Sequence, residues 1–305
     1  MSSRSLLRLS AAAGTAALLL TLTACSAGDD SSSASAGSAS GASSEVDPDV
    51  QALVPADIAE AGVIRMGLDG AYPPFGSISE EDGETLVGLD ADLAREMAAL
   101  MGLEVEFSIT SFDGLIPSLQ SGTNDMAMNS IGDTKEREEV VDFVTYYHNG
   151  TVALVEAGNP MDLTATALCG ATVAVNRGSL QQSTMLPPQA ETCAAEGEEA
   201  PVEAVFAGTP EALLALTAGQ VDAVLADVPP LVLAQQANDA FEIAGPATKN
   251  PNPGGVALPK DGAFTEAVHA AMTELMANGT YDELIAKYGL EDIAIEESVV
   301  NGANS

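Results

Sequence analysis

The chain has 305 residues, 46% of them hydrophobic and 18% charged, with 10 Lys and Arg against 45 Asp and Glu for a net charge of −35. That apolar content exceeds what a wholly disordered chain carries, and the length suits about two domains. So acidic a chain is a poor partner for nucleic acid or for anionic lipid, both of which are gripped by Lys and Arg, and two His and three Cys leave little for a His-rich metal site.

Residues 1–25 read as an export leader. Arg4 and Arg8 form a positive start, and Leu9 to Leu22 is uncharged, rich in Ala and Leu, and too short for a membrane span. Leu22-Thr23-Ala24-Cys25 resembles the lipobox of bacterial lipoproteins. That implies a Cys25 that is acylated and becomes the mature N-terminus; the alternative is an ordinary signal peptide with an incidental Cys. Residues 26–53 read as a flexible tether, since 26–49 hold nine Ser, five Ala and three Gly and no aromatic. The expectation is an extracytoplasmic domain, lipid-anchored at Cys25 to the cell membrane.

The folded part begins near Val54. Val63 to Asp69 is a short β-branched run that predicts a strand. Leu89, Leu93, Met97 and Leu100 share one helical face, with Gly102 as a stop. Glu104 to Thr110 alternates as a strand does. Asp113 can cap a short helix carrying Leu115, Ile116 and Leu119, which stops at Gly122. Asp125 to Ile131 is strand-like, and Thr134 with Glu136 opens a helix. The same grammar returns with strands at Val152 to Val155, Ala171 to Val175, Val202 to Phe206 and Val221 to Ala226. A helix starts at Thr209-Pro210-Glu211, with Pro at its first turn, and runs to Gly219. Thr265 to Tyr288 is helical, punctuated by Asn278-Gly279, and residues 291–305 read as a ragged acidic tail.

Strands alternating with helices predict parallel sheets of βαβ units. Ile116, Leu119, Gly122 and Asp125 recur as Leu213, Leu216, Gly219 and Asp222, which fits two similar α/β lobes. Cys169 and Cys193 form an even pair in an exported chain and are expected to bond. Closing a loop of about 25 residues is worth roughly 3 kcal/mol. Two free thiols are the alternative; a metal site is not, because the spacing is wrong and no His lies near.

Several motifs now fall in one order. They are Gly67-x-Asp69-x-x-Tyr72-Pro73-Pro74-Phe75, Gly88-x-Asp90-x-Asp92-Leu93-Ala94 and Phe112-Asp113-Gly114-Leu115-Ile116-Pro117-x-Leu119-x-x-Gly122. Thr134-Lys135-Glu136-Arg137 with Val141-Asp142-Phe143, Gly178-Ser179, and Ala218-Gly219-x-Val221-Asp222-Ala223-x-x-x-Asp227 follow. Together, over roughly residues 54–290, they resemble the family 3, amino-acid-binding extracellular solute-binding proteins of ABC importers. The resemblance implies an α/β, two-lobed periplasmic-binding-protein-like fold, each lobe a mainly parallel sheet flanked by helices, joined by two hinge strands. Lobe 1 would comprise 54–150 plus 252–290, and lobe 2 would comprise 151–251. It also implies a monomeric receptor that delivers a polar amino acid to permease subunits, without cofactor or metal.

An amino acid is a zwitterion, so its site needs a cation for the carboxylate and an anion for the ammonium. Arg137, near a helix N-terminus, offers a planar fork for a carboxylate; a surface pair with Glu138 or Glu139 is its alternative. Gly178-Ser179-Leu180 is a strand-to-helix turn that can aim backbone N–H groups at an anion. Relatives have two consecutive Thr at Ser179 and Leu180, and a hydroxyl residue at both Ser130 and Gly132. Here Leu180 and Gly132 depart from that pattern. Asp227, ending an apolar strand, is the candidate for the ammonium; otherwise it caps the next segment. Tyr72, Phe75 and Phe112 are candidate aromatic walls or core residues. Asp69 can meet a cationic side chain, a lean towards a basic amino acid, or simply form a turn before Gly70. Some relatives, such as cyclohexadienyl dehydratases, catalyse in this cleft, but the sequence offers no additional acid or base. A sensing module for a signalling partner is the other alternative.

Overall fold

A computed structural model describes residues 44–304. The leader, the lipidation candidate Cys25 and tether residues 26–43 lie outside the described residues. Among those described, no helix is long and apolar enough to cross a membrane.

The tether ends earlier than expected. Asp47 accepts from the N–H groups of Asp49 and Val50 and caps helix α1 (Pro48–Gln51), with Pro in its first turn. Val50 is buried, Asp47 N–H donates to Leu100 O at 2.9 Å, and Ser44 N–H donates to Glu96 at 2.8 Å. Residues 44–53 therefore pack on the first lobe. An Asp-Pro cap inside a Ser-rich stretch was the signal for this.

Helix α2 (Ala56–Ala61) leads into β1 (Val63–Leu68). Three short strands, β2 (Ala71–Tyr72), β3 (Gly76–Ile78) and β4 (Leu86–Val87), form a separate small sheet. Then come α3 (Leu89–Met101), β5 (Glu104–Ile109), α4 (Leu115–Gln120), β6 (Met126–Ala127), α5 (Lys135–Glu138) and β7 (Val141–Tyr147). The second half holds β8 (Gly150–Glu156), β9 (Thr172–Asn176), α6 (Pro187–Glu196), β10 (Val202–Phe206) and α7 (Thr209–Thr217). It continues with β11 (Ala223–Asp227), α8 (Val228–Ala237) and β12 (Phe241–Lys249). The chain closes with β13 (Gly254–Pro259), α9 (Phe264–Asn278) and α10 (Thr280–Lys287).

The strands make two five-stranded sheets, ordered β5-β1-β6-β13-β7 and β10-β9-β11-β8-β12. Each is mixed rather than mainly parallel. β1 pairs parallel with β5 and β6, and β9 with β10 and β11, but β13 and β8 pair antiparallel with both of their neighbours. The physical reason is the crossing itself: the chain passes directly between sheets at His148-Asn149 and at Asn250–Pro253, with no crossover helix to restore direction. The two crossings are bonded to each other, Asn250 N–H to Asn149 O at 3.1 Å and His148 Nε2 to Asn250 O at 2.8 Å.

The internal repeat has a structural basis. Gly122 and Gly219 both adopt left-handed φ, at 70° and 65°. The Asp three residues later pairs with the neighbouring strand in both lobes. Asp125 accepts from Arg65 N–H at 2.9 Å, and Asp222 accepts from Thr172 N–H at 2.7 Å. Cys169 and Cys193 are joined, with their Cα atoms 5.6 Å apart, tying α6 to the start of β9.

The C-terminal residues are not ragged. Residues 298–304 run along β7, an edge strand with open backbone groups. Thr145 N–H donates to Val299 O at 3.0 Å, Asn301 N–H to Phe143 O at 3.0 Å, and Ala303 N–H to Glu138 at 3.1 Å. The acids of this segment, Glu291, Asp292, Glu296 and Glu297, stay in water while its backbone seals the sheet edge. Sequence composition registers the acids and misses the pairing.

Candidate functional site

The carboxyl ends of β1, β6, β9 and β11 face a cleft bordered by the two crossings. Its lining includes Asp69, Tyr72, Phe112, Ser130 and Gly132 from the first lobe, and Ser179, Leu180 and Asp227 from the second. These are eight of the ten candidate ligand-binding residues.

Asp227 is the last residue of β11 and precedes α8, but its side chain makes no cap hydrogen bond. It turns into the cleft and collects donors from both lobes. Ser130 Oγ donates at 2.9 Å and Tyr72 OH at 3.1 Å to Oδ2; Gln181 Nε2 donates at 2.9 Å and Asn250 Nδ2 at 3.4 Å to Oδ1. Burial raises its pKa, and the four donors pull it back down. No cation among the described residues forms an ion pair with it.

Arg137 is the counterpart. Thr134 caps α5 by accepting Arg137 N–H at 3.2 Å, which fixes the base of the side chain. The guanidinium donates to Gly132 O and, across the cleft, to Gly178 O at 2.7 Å. It forms no ion pair with Glu138, which takes Lys135 at 2.7 Å instead. Desolvation lowers its pKa, opposed by the more distant charges of Glu136, Asp133 and Asp227, none of which forms an ion pair with it. Asp227 thus lines the cleft and Arg137 stands at its edge, bridging the lobes, and neither forms an ion pair among the described residues.

Ser130 sits at φ 52°, a strained value for a residue with a Cβ. Asp90, fully buried at the start of α3, holds it there: Ser130 N–H donates to Oδ2 at 3.1 Å, while Tyr146 OH donates to Oδ1 at 2.6 Å. Burial raises the Asp90 pKa to about 7, against the two bonds that lower it. A folded pKa above the unfolded 3.8 means that the stabilising contribution is complete below pH ~4 and is lost as pH rises through 7. Asp90→Asn keeps an acceptor for Ser130 and offers an N–H to the Tyr146 oxygen. The variant should therefore gain on the parent as pH rises, by up to about 4 kcal/mol above pH 7. Melting curves of both proteins from pH 4 to 8 check this; parallel curves refute it.

Asp69 is half-buried and accepts from Ala71 N–H at 3.0 Å, so it does form the turn, yet it also lines the cleft. Burial raises its pKa, with Glu211 and Asp113 adding negative charge nearby. This end of the cleft favours a positive group. Phe75 does not line the cleft: it is fully buried and packs on Tyr72 and Tyr147 at ring centroid distances of 6.1 and 5.8 Å. It is a core residue, pulled inwards by the apolar surface behind the loop.

Other cleft residues carried no motif. Tyr147, Asn176, Gln181, Thr209 and Asn250 line it, as does Asn129, whose buried Oδ1 has no hydrogen-bond partner. Tyr147 owes its pose to Gly254, where a Cβ would fall 2.0 Å from the tyrosine oxygen. Of these, Gln181 adjoins the Ser179-Leu180 turn, Asn129 adjoins Ser130 and Thr209 opens a recognisable helix start, but none is marked as a cleft residue by its own pattern.

The family described as bacterial extracellular solute-binding proteins, family 3, matches residues 64–291. The arginine-binding protein ArgT of Corynebacterium glutamicum is 31% identical over 255 residues, 83% of each chain. The lysine/arginine/ornithine-binding periplasmic protein of Escherichia coli is 32% identical over 74% of this chain and 86% of its own. Among solved structures, an ancestral arginine-binding protein bound to arginine is similar with a TM-score of 0.67 and 32% identity, covering 74% of this chain and 98% of that one.

Proposed function

The chain belongs to the bacterial extracellular solute-binding proteins, family 3, and from that premise we propose that it is an ABC-importer receptor that closes on a basic amino acid, arginine foremost. The observation that carries this is the pair of cleft charges without counter-ions, Arg137 and Asp227. They suit the carboxylate and ammonium of one zwitterion. Asp69 and the unpartnered Asn129 Oδ1 suit the donors of a cationic side chain. Relatives named for arginine and lysine support the same choice.

Binding needs no acid or base to act on the ligand, and the protein is a receptor rather than an enzyme. Ser130, Tyr72 and Arg137 come from one lobe, Gln181 and Asp227 from the other, so ligand contacts made by both drive closure about the two crossings. The receptor acts as a monomer outside the cytoplasmic membrane, anchored through lipid at Cys25. Cys25→Ser should move it from the detergent to the aqueous phase on partition; an unchanged distribution removes the anchor.

A melting panel of the twenty amino acids on residues 26–305, stripped of ligand by unfolding and refolding, tests the reading. A ligand at 100 times its Kd stabilises by about 2.7 kcal/mol. Arginine should give the largest shift, with lysine or histidine next. A shift only with an uncharged amino acid removes the role of Asp69, and no shift at all removes the receptor.

A further inference from the structure

The two departures from the family pattern meet in space. Gly132 lies in the first lobe, just before α5, and Leu180 lies in the second, at the turn after β9. Three atoms are nearest to the point where a Cβ at position 132 would stand: Arg137 Nη1 at 3.6 Å and the two Leu180 methyls at 3.7 and 3.8 Å. Leu180 is buried, with 5% of its surface exposed. Its branched end therefore fills the hollow that the glycine leaves, across the cleft and beside the guanidinium.

This juxtaposition gives the pair a meaning that neither residue has alone. A hydroxyl at each position would serve the ligand. A leucine against a glycine serves the closure: apolar surface from opposite lobes leaves water only when the lobes meet, and the contact is lost when they part. It also screens the guanidinium from solvent, which strengthens its attraction for a carboxylate. The geometry points to Leu180 and Gly132 acting as a matched knob and hollow that latches the closed cleft, with carboxylate binding left to Arg137 and the backbone of the turn. This rests on the receptor reading for its ligand, but the latch itself is a contact between lobes.

Size sets the predictions. These separations are ordinary van der Waals distances, so Gly132→Ala should fit and weaken arginine binding less than Gly132→Val does. The φ of Gly132 is not left-handed, so backbone conformation does not bar a side chain there. Gly132→Val must push its branches into Leu180 and should weaken binding about tenfold, as overpacking does. Leu180→Ala opens a gap and should weaken it by a similar factor. The double variant Gly132→Val with Leu180→Ala refills the hollow and should bind more tightly than either single variant, nearer to the parent than to the product of the two losses.

Calorimetric titration of the full chain with arginine reads the four affinities, and circular dichroism verifies that each variant is folded. Losses that multiply, or a Gly132→Val variant that binds as the parent does, overturn the latch. If Gly132→Val fails to fold, Gly132→Ala replaces it, and a tenfold loss there that Leu180→Ala leaves unrelieved is the contrary result. If the parent takes no amino acid, the receptor reading fails separately. The same cycle is then read from the melting temperatures of the ligand-free proteins, where non-additive shifts support the latch and additive shifts refute it.

Discussion

Arg137→Ala loses arginine binding by more than about 1,000-fold while the ligand-free protein melts as before. The guanidinium is held only by neutral groups. Its structural bonds are two carbonyl oxygens, of Gly132 and Gly178, and no carboxylate pairs with it. Those carbonyls lie at the cleft, where water can replace the lost donors. The ligand's carboxylate has no such substitute: without Arg137 it enters a desolvated pocket with no cation to meet it. Arg137→Lys is the informative companion. Lysine keeps the charge but loses the fork, and it cannot reach both lobes in one plane, so binding should fall by about 100-fold rather than disappear. Titration calorimetry gives the affinities, and ligand-free melting separates binding from folding. An alanine variant that keeps its affinity would remove Arg137 from the clamp and with it the zwitterion reading.

The sequence makes some parts of this protein easy to read and hides others, for physical reasons. Leu89–Met101 is recovered to the residue, because an apolar stripe and a left-handed Gly102 are both local signals. The 125–131 run yields only Met126–Ala127 as strand, because the chain must leave the sheet early to bring Asn129, Ser130 and Gly132 to the cleft. Sheet direction is not a local property; it follows from where the chain crosses between lobes. In the site, charged residues announce themselves, since an Asp closing an apolar strand or an Arg on a helix start demands an explanation. Gln181 and Asn250 do not, because amides suit any surface and their role arises only when distant segments converge on Asp227. Tyr72 and Phe75 show the limit most clearly. Three residues apart and equally aromatic, one reaches Asp227 and the other fills the core.

Asp227→Asn separates function from stability in the opposite direction from a core mutation. The parent carboxylate is buried, draws four hydrogen-bond donors and forms no ion pair among the described residues, and burial raises its pKa. Such a group destabilises the ligand-free fold as it ionises: the raised folded pKa means that stability is lost as pH climbs past it. Asparagine is nearly isosteric and carries no charge. Its oxygen accepts from Gln181 and Asn250, and its amide faces Tyr72 and Ser130, whose hydroxyls can turn to accept. The ligand-free variant should therefore melt no lower than the parent at pH 7.5, and the gain should shrink towards pH 4. Ligand binding runs the other way. The ammonium of an amino acid would meet an amide donor instead of an anion, in a pocket dry enough to magnify the difference, and affinity should fall by more than about 1,000-fold. A site kept unstable for the sake of its ligand behaves in this manner. Retained arginine affinity would show that Asp227 faces some other group, and a clear drop in ligand-free melting temperature would show that its hydrogen-bond network supports the fold rather than the ligand.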